Sequence, residues 1–112
     1  MPAYAVAHLQ DVNVGPEIVA YIRRIDETLA PFGGRFLIHG GPVEVLEGTW
    51  REDLIVIAFP DRIQARAWYA SPAYRQILPL RTENAKGDTF FIDGVSDDHK
   101  ATDILAGLPM GA

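Results

Sequence analysis

Residues 54–59, Leu-Ile-Val-Ile-Ala-Phe, are apolar without interruption. A strand of this kind puts apolar side chains on both of its faces and needs cover on both. Elsewhere the pattern alternates. From Ala3 to Val12, Tyr4, Val6, His8 and Gln10 share one face and Ala3, Ala5, Ala7 and Leu9 the other, which predicts a first strand. The alanine-lined face suits close packing by a helix. Pro16 opens that helix at a favoured first position, with Glu17 near the positive end of the dipole. Ile18, Ile22, Ile25, Leu29 and Phe32 then recur at helical spacing on one side. Gly33-Gly34 ends the helix, because glycine takes the left-handed position after a helix without steric cost.

Arg35 to His39 reads as a second strand. Gly40-Gly41-Pro42 interrupts it as a bulge or bend, and Val43 to Leu46 continues it. Glu47 to Asp53 turns the chain into the third strand, Leu54 to Phe59. Asp61 with Gln64 has the form of a capping box, and Ile63, Ala67 and Ala70 or Tyr74 continue one face of the helix it opens. Ser71-Pro72 resets the helix, with serine as a new cap. Pro79 predicts a further kink or restart. Tyr74, Ile77, Leu78 and Arg81 lie along one side of this broken segment. Asp88 to Val95 is the last strand, with Phe90 and Ile92 on one face and Phe91 on the other.

The order βαββαβ predicts an α+β, ferredoxin-like domain over residues 1–96, with a four-stranded antiparallel sheet and both helices on one face. Residues 97–112 form a tail carrying Ile104, Leu105, Leu108 and Met110, able to dock on the body or on a neighbour. The other face of the sheet is then bare. A second copy packed sheet to sheet would cover it, making a homodimer; the competing reading is a monomer roofed by its own tail.

Length and composition narrow this picture. A chain of 112 residues is one domain, and its apolar share of 48% with an ordinary charged share of 22% argues against disorder except at the ends. A net charge of −5 argues against nucleic acid or an anionic membrane as partner. The lack of cysteine removes disulfides, thiolate metal sites and thiol catalysis, and fits a cytoplasmic protein. No apolar run approaches the roughly 20 residues of a spanning helix. Met1-Pro2-Ala3-Tyr4 leads straight into strand with no signal-peptide pattern.

Over about residues 3–95 the chain resembles the domain-of-unknown-function 1330 family of the dimeric α+β barrel superfamily. The resemblance rests on Gly33-Gly34, Gly40-Gly41, Glu47-Gly48-Thr49-Trp50, Phe59-Pro60, Ala67-Trp68-Tyr69, Ser71-Pro72-Ala73-Tyr74 and Arg81, in that order and spacing. It implies a homodimer whose two sheets pack into a barrel-like core. The wider superfamily includes small monooxygenases that need no metal or organic cofactor, isomerases of ring-cleavage products and ligand-sensing domains. That breadth prevents reading an activity from the fold.

In such an architecture a pocket can form between sheet and helices. Trp68, Tyr69 and Tyr74 could line it or simply fill the core. Tyr74 adds a phenol hydroxyl. Arg81 follows about two helical turns later on the same side, where a guanidinium could grip a carboxylate or enolate, or pair with Glu47 or Asp93. His39 is a candidate proton carrier. His8 shares its face with Tyr4, Val6 and Gln10, and is expected away from the pocket. The histidines at 8, 39 and 99 show no metal-ligand spacing, so no metal and no cofactor is expected. Gly40-Gly41-Pro42 lacks the lysine and helix of a phosphate loop, and Glu44 and Glu47 point to opposite faces. The candidate ligand-binding set is Trp68, Tyr69, Tyr74 and Arg81; the catalytic candidates are His39, Tyr74 and Arg81. Two functions remain open: a dimer that binds a small anionic or carbonyl ligand or serves structurally, and a cofactor-independent enzyme acting on a small carbonyl or phenolic metabolite.

Overall fold

The computed structural model describes residues 1–107. Four strands, β1 (Ala3–Gln10), β2 (Arg35–His39), β3 (Asp53–Phe59) and β4 (Lys86–Asp93), form an antiparallel sheet in the order β2-β3-β1-β4. Helices α1 (Pro16–Leu29), α2 (Arg62–Ala70) and α3 (Pro72–Thr82) cross over one face. This is the ferredoxin-like arrangement that the order of elements predicts. The outer boundaries shift slightly: β1 ends at Gln10, and β4 starts at Lys86 and stops at Asp93.

Helix ends follow the local chemistry. Pro16 begins α1, and a 3₁₀ turn at Ala30–Phe32 leads to Gly33 at φ +69°, the left-handed stop. Asp61 caps α2 by accepting from the Gln64 N–H at 2.8 Å. Ser71 does two jobs at the α2–α3 junction. Its hydroxyl donates to the Trp68 carbonyl at 2.7 Å and accepts from the Tyr74 N–H at 3.3 Å. It thereby fixes Trp68 and Tyr74 relative to one another.

Several sequence expectations need correction. The strand does end in a bend at Gly40, but the bulge in β2 lies earlier, between Phe36 and Ile38. Val43 to Leu46 does not continue the strand; it is irregular and exposed, and no strand among the described residues pairs with it. Helix α3 runs through Pro79 without a break. The proline sits on the exposed side near the C-terminal end, where the lost hydrogen bond disrupts least. The buried face of α2 is Ala65 and Trp68, while Ile63, Ala67 and Ala70 face outward. In the α1 stripe Ile22 is exposed and Thr28 is buried instead.

Strand register sorts the side chains. Phe36, Ile57, Ala5 and Phe91 form a row across the helix-covered face. Ile38, Val56, Val6 and Phe90 form the matching row across the other face. The first row belongs to the core with Ile25, Leu29, Phe59, Trp68, Tyr74, Ile77 and Leu78. The second stays open, with Phe90 and Ile92 each 50% exposed. A 3₁₀ segment, Ala101–Gly107, is exposed along its length and does not roof them. Leu108 and Met110 lie outside the described residues.

Gly87 lies tightly against the β1 backbone. It has φ +140°, and a Cβ there would lie 1.9 Å from the His8 carbonyl oxygen. Gly87→Ala is therefore expected to cost about 1–3 kcal/mol. Urea unfolding measures it; an unchanged midpoint would contradict the close approach.

Candidate functional site

The sequence suggests that the alanine face of β1 receives a helix tightly, and here the structure differs. Ala5 and Ala7 are only half-buried and form the floor of a cavity of about 610 Å³ between sheet and helices. The reason is a difference in side-chain size. Phe36 and Ile57 on one side of Ala5, and Phe91 on the other, stand much taller than its methyl group. Above the floor, aromatic rings hold α1 and α3 together at a distance from it. Tyr74 lies 4.1 Å from Trp68, 5.6 Å from Tyr69 and 6.2 Å from Tyr21, centroid to centroid. A volume of this size lies within the range of roughly 300–1,000 Å³ usual for small-molecule pockets. The loops at Val12, Val14, Gly40 and Gly41 border one end, where Val14 and Ile22 are exposed.

All four proposed ligand-binding residues line this one cavity, as does His39. Their roles differ. Trp68 is buried, and its indole N–H donates to the Thr28 hydroxyl at 3.0 Å, which itself donates to the Ile25 carbonyl. Its polar atom is used internally, so it offers a ligand only its ring. Tyr69 packs edge-on against Phe91 and carries the Arg75 guanidinium over its ring at 4.8 Å. His39 is exposed and stacks on Phe36 at 4.2 Å.

Tyr74 and Arg81 carry the polar chemistry, with one residue that sequence reasoning missed. The Tyr21 hydroxyl sits 2.8 Å from that of Tyr74. Arg81, 9% exposed, lies against both hydroxyls. Burial works against its charge, but the facing oxygens of Tyr74 and Tyr21 outweigh that and hold its pKa above the ordinary value. Arg81 is thus a fixed cation. The acids considered as its partners are elsewhere: Asp93 pairs with Arg62 at 3.0 Å, and Glu47 is in an exposed turn. Among the described residues no carboxylate forms an ion pair with Arg81. Tyr21 was legible in principle. It falls three residues after Ile18 and four before Ile25, on the same helical stripe.

His8 lies on the other sheet face. Its Nδ1 meets the Glu52 carboxylate, which also accepts from Gln10, and its ring packs edge-on against Trp50 at 4.6 Å. This cluster pins the 49–52 loop across the polar end of the open face. His99 pairs with Asp103 in the C-terminal segment at 3.7 Å.

Fold and cavity together define a small ferredoxin-like α+β protein with an internal chamber. The chain belongs to the family described as Domain of unknown function (DUF1330), whose model matches residues 2–95. No curated protein matches the sequence significantly. Among solved structures it is similar to a protein of unknown function from Rhodopseudomonas palustris, with 18% identity, TM-score 0.64, and coverage of 85% of this chain and 83% of that one. A dimeric ferredoxin-like protein of unknown function from Jannaschia sp. CCS1 shares 13% identity at TM-score 0.63, over 84% of this chain and 100% of that one. SnoaB, a cofactor-independent oxygenase from Streptomyces nogalater, shares 13% identity at TM-score 0.59, over 88% of this chain and 98% of that one. At these identities the likeness is one of fold. No helix among the described residues is long and apolar enough to cross a membrane.

Burial first, and then the neighbouring Tyr74, raises the Tyr21 pKa above the ordinary phenol value of 10.0. A raised pKa favours the protonated form in the folded state. The stability this contributes is complete below pH 10.0 and is lost as the pH rises further, where the unfolded chain ionises first. Melting temperature should therefore fall more steeply above that pH in the wild type than in Tyr21→Phe. Parallel curves would show that Tyr21 ionises as freely in the folded protein as in the unfolded.

Proposed function

We propose that this protein is a homodimeric small-molecule-binding protein that takes its ligand in the chamber between sheet and helices. The single observation that carries this reading is Arg81: a buried cation, facing an apolar cavity, without a carboxylate partner among the described residues. A buried guanidinium is ordinarily matched by a carboxylate, and here neutral phenol hydroxyls stand in its place. Two phenol hydroxyls beside it add directional hydrogen bonding.

The dimer rests on the open sheet face. Its centre is the apolar row Ile38, Val56, Val6 and Phe90; polar groups such as Arg35, His8 and Asp88 border it. An apolar centre with a polar rim is the anatomy of an interface. Val43, Val45 and Leu46 are exposed beside the edge strand β2, and in the proposed dimer they and the C-terminal segment meet the second copy.

A second reading is cofactor-independent catalysis on a small carbonyl or phenolic metabolite. It is favoured by His39 lining the same cavity as the phenol pair and Arg81, which would place a proton carrier and oxyanion donors around one ligand. The SnoaB likeness is compatible with it at the level of fold.

A thermal-shift screen of a metabolite library, repeated with Arg81→Ala, tests the binding reading. Hits are expected to raise the wild-type melting temperature and to lose most of that effect in the variant. A library without hits, or hits unchanged in Arg81→Ala, would remove it. Turnover of a hit by the wild type but not by His39→Ala would establish the second reading. For the interface, the wild-type melting temperature is expected to rise with protein concentration, and Phe90→Asp to lower it and weaken that dependence. An unchanged melting temperature would place Phe90 outside any interface.

A further inference from the structure

The polar cluster in the cavity is unbalanced in a way that specifies its ligand. A guanidinium only donates hydrogen bonds, and each phenol brings one further donor. The bond between Tyr21 and Tyr74 uses one hydroxyl proton. The other hydroxyl proton has no acceptor among the described residues, and Arg81 makes no hydrogen bond there to a backbone carbonyl or carboxylate. The cluster therefore offers more donors than its own phenol oxygens can accept. What it lacks is an acceptor, and a negatively charged one satisfies the guanidinium best.

The rest of the lining limits that acceptor further. Arg81 is the one Lys or Arg among the described residues that line the cavity, and Asp53, at the start of β3, adds a negative charge elsewhere in its lining. One cation matches one negative charge, which disfavours phosphate esters and dicarboxylates. A carboxylate is ionised at neutral pH, whereas a free phenol is not. Its two oxygens also fit the guanidinium fork and leave room for a phenol O–H. Phe36, Trp68, Tyr69 and Phe91 line the remainder, and such ring faces suit a flat aromatic body. Asn13 and Asn84, linked backbone to backbone at 2.7 Å, place the end of α3 beside the 12–14 loop. Arg81 thus lies toward the loop-bordered end, with Trp68 toward the other.

Resting on the binding reading above, we propose that the chamber is a receptor for aromatic monocarboxylates. The carboxylate is held by Arg81 and the Tyr21–Tyr74 pair, and the ring extends toward Trp68.

Calorimetry with matched pairs of acid and neutral amide tests this: benzoate against benzamide, cinnamate against cinnamamide, naphthoate against naphthamide. The acid of each binding pair is expected to bind about tenfold tighter or more. Arg81→Gln should weaken the acid far more than the amide and so close most of the gap between them. Binding should also alter the fluorescence of Trp68, read in a Trp50→Phe background, because Trp50 packs on the opposite sheet face. An amide that binds the wild type as well as its acid overturns the carboxylate assignment and leaves the chamber as a binding site. The wild-type comparison decides this even if Arg81→Gln fails to fold. An acid preference that survives in folded Arg81→Gln, or binding without a Trp68 response, also overturns it. If no member of any pair binds, the aromatic receptor falls, while the library screen decides the broader binding reading separately.

Discussion

The sheet has two apolar faces, and the helices cover one. This imbalance governs the rest of the molecule. Because β1 and β3 are central and antiparallel, their alternation places Ala5 and Ile57 under the helices and Val6 and Val56 on the outside. A one-residue slip would exchange the two sets, so the fold is committed to an apolar patch somewhere on its surface. The described part of the C-terminal segment does not shield it. The loop carrying Trp50 and Glu52 reaches only the polar end, at His8 and Gln10. The proposed second copy answers this constraint with the same surface on both partners, as two-fold symmetry requires.

Assigning the open face to association leaves the helix face for binding. There, small side chains on the central strand and large ones on its neighbours make a hollow that neither α1 nor α3 enters. Empty space in a core weakens a small domain, since its lining atoms lose contacts on one side. Burying the Arg81 guanidinium adds a desolvation cost, set against its contacts with the phenol oxygens but with no carboxylate among the described residues to neutralise it. Both costs fall in the same place, beside two phenol hydroxyls. A carboxylate ligand offsets both by filling the volume and neutralising the charge.

Much of this was legible in the residues. Strand alternation, the Ile18–Leu29 stripe, the Asp61 and Ser71 caps and the Gly33-Gly34 stop are local signals, and they gave the element order and the family. The spacing of Tyr74 and Arg81 correctly put both on one side of a helix. What failed depended on neighbours. Val43 to Leu46 has the composition of a strand, but a strand needs a partner, and none lies beside it among the described residues. Pro79 has the mark of a helix break, yet its exposed position tolerates the missing bond. The alanines of β1 suggested tight packing. Whether small residues receive a helix or leave a hollow depends on the height of side chains on the other strands of the sheet. Tyr21 escaped notice because its importance comes from Tyr74, 53 residues distant in sequence.

The most direct test of the sheet's imbalance is sedimentation equilibrium of the unaltered chain across the micromolar range. A single species of twice the chain mass is expected, dissociating only on strong dilution. A monomer throughout that range would contradict it, for the apolar face would then be stable in water without a partner.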